Sequence, residues 1–152
     1  MTAPAPAPIP GPAAAAGLVV CAPLRVEARA VRRGIGAGGR VVQTGYGQRR
    51  AGRQADRLRR SPFGMLAVAG TGGGLAPDLA PGDLVVATEV SDGTTTVACP
   101  SAPLLAGELR RAGLPARAGP VVTTSRIVHG QQRERLAADG ALVAALESAP
   151  LA

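Results

Sequence analysis

The chain has no lysine and no tryptophan, and its aromatic content is limited to Tyr46 and Phe63. All 17 of its basic residues are therefore arginine, and its net charge of +7 is an arginine charge. Together with abundant Ala, Gly and Pro, this bias reads as a GC-rich coding sequence more than as a selected surface. A basic balance still favours anionic partners in general. The scarcity of aromatics removes the stacking platforms that a single-strand nucleic-acid binder uses.

Cysteine is almost as scarce. Cys21 lies in an apolar run and Cys99 precedes a proline, which excludes both a disulfide framework and a cysteine metal spacing and fits a reducing compartment. His129 is the only histidine. No second His, Cys or carboxylate stands at metal spacing from it, so neither a metal nor a resident cofactor is expected, and a loop or capping role is the plainer reading. No apolar run approaches the ~20 residues that span a bilayer. The opening MTAPAPAPIPGPAAAA carries no basic residue ahead of an apolar core and reads as a disordered Pro/Ala leader over 1–16, not a signal peptide. A cytoplasmic protein is expected.

What remains is enough for one domain over 17–152, since a chain of this length buries roughly 68–70% of its unfolded surface. Short apolar runs alternate with helical spacing. Strands are expected at 17–21, 40–45, 65–69, 83–90 with a hairpin partner at 94–98, 116–123 and 141–143. Helices are expected from Pro23 to Arg33, Gln48 to Arg60, a Ser101-capped stretch to Arg111, and Gln131 to Ala138. Such alternation predicts an α/β fold with a largely parallel or mixed sheet covered on both faces. Ligands of such sheets gather at the carboxyl ends of strands, where Gly45-Tyr46-Gly47 and Gly70-Thr71-Gly72-Gly73-Gly74 fall.

Two motifs invite over-reading. Gly34, Gly36 and Gly39 satisfy GxGxxG, but they follow a helix and precede a strand, the reverse of a dinucleotide fingerprint. A plain turn is expected there. Arg49, Arg50, Arg53, Arg57, Arg59 and Arg60 form a basic helix face opposite Ala51, Ala55 and Leu58. It reads as a solvated surface, and a basic nucleic-acid-binding domain is the weakest of the functional alternatives.

The closing ALVAALESAPLA places Glu147 after an apolar run, where a carboxylate can accept two sugar hydroxyls. Glu27, in the first helix beside the end of the first strand, has the position of a general base.

Taken in order, Ala22-Pro23-Leu24-Arg25 with Glu27, Gly45-Tyr46-Gly47, VAGTGGGL from Val68 to Leu75, Pro81-Gly82-Asp83-Leu84-Val85-Val86, and Leu146-Glu147-Ser148 resemble the nucleoside phosphorylase and nucleosidase superfamily. The finer likeness is to its hopanoid-associated phosphorylase branch, which is implicated in removing adenine from an adenosyl-hopane. The resemblance implies a three-layer α/β/α fold around a central mixed sheet and cleavage of the N-glycosidic bond of a purine-type nucleoside. It assigns Glu27 to activating the nucleophile. Arg25, Gly70, Thr71 and Gly72 fall to nucleophile or phosphate binding, with phosphate as an optional co-substrate. Leu146, Glu147 and Ser148 fall to ribose binding, and Ile127 and Val128 to contact with the base. Homo-oligomers are the family habit.

Departures accompany the likeness. Val68 stands where hexameric phosphorylases carry a second phosphate-binding arginine, Ile127 where nucleosidases stack an aromatic, and Leu146 where the family has Met. The family continues past Glu147 through a strand bearing the Asp that protonates the leaving base, then a closing helix. The chain is accordingly expected to be truncated, and a catalytically impaired nucleoside-binding fragment is the alternative function.

Overall fold

The computed structural model describes residues 17–152; the leader expected over 1–16 lies outside them. The chain opens β1 (Leu18–Ala22), α1 (Arg25–Ile35), β2 (Arg40–Gln43), α2 (Gln48–Leu58) and β3 (Met65–Val68). β1 runs parallel to β2 on one side and to β3 on the other. The chain thus steps from β1 one way to β2, then back across β1 to β3. Right-handed crossovers place α1 and α2 on opposite faces when the direction reverses in this manner. Side-chain alternation in β1 agrees: Val19 and Cys21 pack with Ala51, Ala55 and Leu58 of α2, leaving buried Val20 and Ala22 for the face of α1. Such a reversal opens a crevice beyond the carboxyl ends of the strands, and the functional residues collect there.

The second half adds β4 (Gly73–Gly74), β5 (Leu84–Ser91), β6 (Thr96–Ala98), α3 (Ala102–Arg111), β7 (Ala116–Thr123), α4 (Gly130–Ala138), β8 (Val143–Ala145) and a short 3₁₀ turn (Ala149–Leu151). Its strands order as β4-β8-β7-β5-β6, with β5, β7 and β8 parallel and the ends closed antiparallel. The α/β class with a mixed sheet therefore holds, carried in two hydrogen-bonded ladders instead of one continuous sheet. Among the described residues no helix is long and apolar enough to cross a membrane.

Several elements differ from expectation for local reasons. α1 starts at Arg25, not Pro23, because the Glu27 carboxylate accepts the Leu24 amide at 2.8 Å and so closes the helix start from inside the first turn. Ser101 occupies the N-cap of α3 but makes no side-chain cap bond; Pro103 in the first turn supplies the preset backbone instead. The last strand lies two residues beyond the expected 141–143, since the Ala141 amide is taken by Leu136 at the end of α4. The GxGxxG stretch is the turn between α1 and β2, with Gly36 at φ +53° ending the helix.

The core is built of small side chains. Alanines 22, 28, 51 and 106 are fully buried, and Cys21 is the largest side chain with almost no exposure. Leu58 and Leu151, at 5% and 3% exposure, are the bulky members of the cluster around β1. Burying a leucine contributes roughly 1.5–3 kcal/mol. Leu151 thereby pins the segment that follows β8 against α2 and β1. The arginines 49, 50, 53, 57, 59 and 60 of α2 all stand exposed, as a solvated face should.

Candidate active site

Glu27 is set by the first turn of α1 and is 9% exposed. Its Oε2 accepts the Leu24 amide at 2.8 Å, while Oε1 accepts the Thr71 amide at 2.8 Å and the Thr71 hydroxyl at 2.7 Å. A carboxylate offers about four lone-pair directions, so roughly one remains for a water or ligand. Gly70 makes the approach of the loop feasible: a Cβ there would lie 3.1 Å from Pro23 Cδ and 3.3 Å from the Glu27 carboxyl carbon. Glycine at position 70 therefore has a steric reason beyond codon bias.

Glu147 follows β8 and is 7% exposed. Its Oε1 accepts the amide of Gly47 at 2.8 Å, and Gly47 is the N-cap residue of α2 with φ +85°. The positive end of the helix dipole thus faces the carboxylate, an arrangement that favours negative charge. Oε2 retains both acceptor directions. Thr123 Oγ1 steadies the same segment by accepting the Ala149 amide at 2.9 Å.

The loop between these carboxylates runs along β8. Gly73 pairs with Ala144 and Gly74 with Val143, and a Cβ on Gly72 would sit 2.4 Å from Val143 Cγ1. Glu27 and Glu147, from opposite ends of the sequence, both line one cleft of about 320 Å³. A pocket of that size lies in the range of small-molecule sites. Its lining includes Leu24, Glu27, Tyr46, Thr71 and Gly72 on one side and Ile127, Val128, Leu146 and Glu147 on the other. Val128, 9% exposed, forms an apolar floor with Leu75 and Ala144, while Ile127 is 62% exposed at the rim.

Not every expected site residue arrives in the cleft. Arg25 points elsewhere: with Val26, Arg29 and Arg33 it lines a separate basic groove along α1. Ser148 lies behind the site, where its carbonyl accepts the Leu151 and Ala152 amides. His129 is the exposed N-cap residue of α4 and makes no side-chain cap bond. Among the described residues, no group of three or more His, Cys, Asp or Glu side chains is placed to hold a metal ion. Tyr46, Leu75, Thr124 and Arg133 line the cleft unanticipated. Tyr46, flanked by Gly45 and Gly47 at a strand end, carried a visible signal. Arg133 had none, because nothing in the run Arg133-Glu134-Arg135 distinguishes it from a solvated helix face.

The family model of the phosphorylase superfamily matches residues 40–152. The chain belongs to that superfamily. Among solved structures, the superfamily fold recurs in a methylthioadenosine/S-adenosylhomocysteine nucleosidase variant of Helicobacter pylori with 5′-methylthioadenosine in its active site, at 14% identity and TM-score 0.78. That match covers 90% of this chain and 77% of the other. A futalosine hydrolase mutant of the same organism matches at 15% identity and TM-score 0.74, covering 88% and 80%. An S-adenosylhomocysteine nucleosidase of Streptococcus pyogenes, in complex with 5-methylthiotubericidin, matches at 16% identity and TM-score 0.73, covering 88% and 76%. No curated protein sequence matches the chain.

Proposed function

We propose that this superfamily member is a nucleosidase that cleaves the N-glycosidic bond of a purine-type nucleoside with water as the nucleophile. The observation that carries the reading is the convergence of Glu27, tied to Thr71, and Glu147, tied to the start of α2, in one cleft. Departure of a base from ribose builds positive charge at C1′ and the ring oxygen, and carboxylates in that cleft stabilise it electrostatically. Glu147 receives the 2′- and 3′-hydroxyls through its open Oε2. Glu27 orients a water beneath C1′ through its remaining acceptor direction and takes its proton as the C–O bond forms and the C1′–N bond breaks, and the departing base takes up a proton from solvent. Thr71 holds Glu27 in place, and the floor of Leu75, Val128 and Ala144 receives the flat apolar faces of the base.

Water is favoured over phosphate because Arg25, the residue assigned to phosphate by family likeness, lines the groove along α1 instead of the cleft. The narrower expectations of an adenosyl-hopane substrate and homo-oligomeric assembly rest on the sequence likeness alone, and that of a cytoplasmic setting on composition. Release of free base and free ribose from purine nucleosides in phosphate-free buffer tests the reading. A product of ribose 1-phosphate, formed only with phosphate present, would replace the hydrolase by a phosphorylase.

A further inference from the structure

Among the described residues, Arg133 is the one cation on the lining of the cleft. It lies one turn into α4 and donates from Nη2 to the carbonyl oxygen of Gly74. The ion pairs found among the described residues, Arg59 with Asp56, Arg111 with Glu108 and Arg117 with Asp78, do not engage it. A guanidinium has five donor hydrogens in a rigid fork and no acceptor. After the bond to Gly74, four of those hydrogens remain, on a side chain that lines the cleft.

The position along the loop matters as much as the charge. Thr71 marks the Glu27 end, and Gly74, which anchors Arg133, lies three residues further along an extended segment. At about 3.3 Å per residue the two are roughly 10 Å apart. With ribose held by Glu147 and the nucleophile by Glu27, the base extends over Leu75 and Val128 toward Arg133. The guanidinium then meets the outer edge of the base.

Resting on the nucleoside reading above, we propose that Arg133 is a specificity-determining residue that selects 6-oxopurine over 6-aminopurine nucleosides. A 6-oxopurine presents O6 and N7 as adjacent acceptors, the edge that arginine grips in bidentate fashion. A 6-aminopurine puts an amino donor beside N7, and that donor opposes a group that only donates. The selection runs against the adenine expected from sequence likeness.

Calorimetry with inosine and adenosine on the wild type, Arg133→Met and Arg133→Lys tests it. The wild type is expected to bind inosine at least about tenfold more tightly, within the discrimination a bidentate arginine contact carries. Arg133→Met abolishes that preference by weakening inosine. Arg133→Lys, which keeps the charge and loses the fork, falls between them and serves alone if the Met variant does not fold. An inosine-to-adenosine ratio unchanged in either variant, or a wild type that prefers adenosine, overturns the selection and leaves the nucleoside reading standing. A wild type that binds neither nucleoside overturns both.

Discussion

Replacing Glu147 by Gln separates its binding role from its structural one. The Gln carbonyl can occupy the position of Oε1 and keep the 2.8 Å bond from the Gly47 amide. The NH₂ then stands where Oε2 faced the cleft, turning an open acceptor into a donor. Folding should change modestly: a negative charge beside a helix start is worth up to about 2 kcal/mol in a partly buried setting. Binding should change more, since hydrogen bonds to a charged partner contribute about 1.5–3 kcal/mol net. Weakening of roughly 10- to 150-fold in Kd follows for a purine ribonucleoside. Calorimetry of wild type and Glu147→Gln with the ribonucleoside and its 2′,3′-dideoxy analogue isolates the effect. The analogue should bind weakly to both proteins, with no further loss in the variant. If Glu147→Gln weakens the dideoxy analogue as much as the ribonucleoside, Glu147 does not hold the ribose hydroxyls.

Gly72→Ala should destabilise the protein by about 1–3 kcal/mol in urea unfolding, the usual cost of overpacking, because its Cβ would meet Val143 Cγ1 at 2.4 Å; an unchanged midpoint would show that β8 yields freely. In the β5–β6 hairpin, the Thr95 amide and the Thr94 hydroxyl and amide bond to Asp92 and hold its carboxyl down to about 2. A lowered folded-state value means that its contribution to the hairpin is full above the ordinary carboxylate value and is lost as pH falls through about 2. Carboxyl carbon shifts followed by NMR should show that midpoint, and a midpoint near 4 would refute the turn geometry.

The parts legible in the sequence were those governed by period and punctuation. Alternation of apolar runs with helical spacing gave β1 through α2 to within about two residues at each end, and Ala51, Ala55 and Leu58 were recognisable as the buried side of α2 because they recur at helical intervals. Glu27 and Glu147 could be singled out because each follows a strand end, although only the family resemblance, and nothing in their spacing, placed them in one site. That juxtaposition depends on the reversal of direction at β1 and on the antiparallel pairing of Gly73-Gly74 with β8, a two-residue strand too short to carry a pattern. Arg25 was misleading for a simple reason: two positions along a helix turn a side chain about 200° around the axis, so Arg25 lines the outer groove while Glu27 faces the cleft. Arg133 was hidden among the surface arginines, distinguished only by its bond to Gly74.

The most direct test of the water-activating role is base release by wild type and Glu27→Gln in phosphate-free buffer, with nucleoside affinity measured on the same samples. The account predicts that wild type liberates free base and ribose. The variant should bind nucleoside with similar affinity and turn over about 10²–10⁴-fold more slowly, the range lost with a general base. A folded Glu27→Gln protein that releases base at the wild-type rate would contradict it.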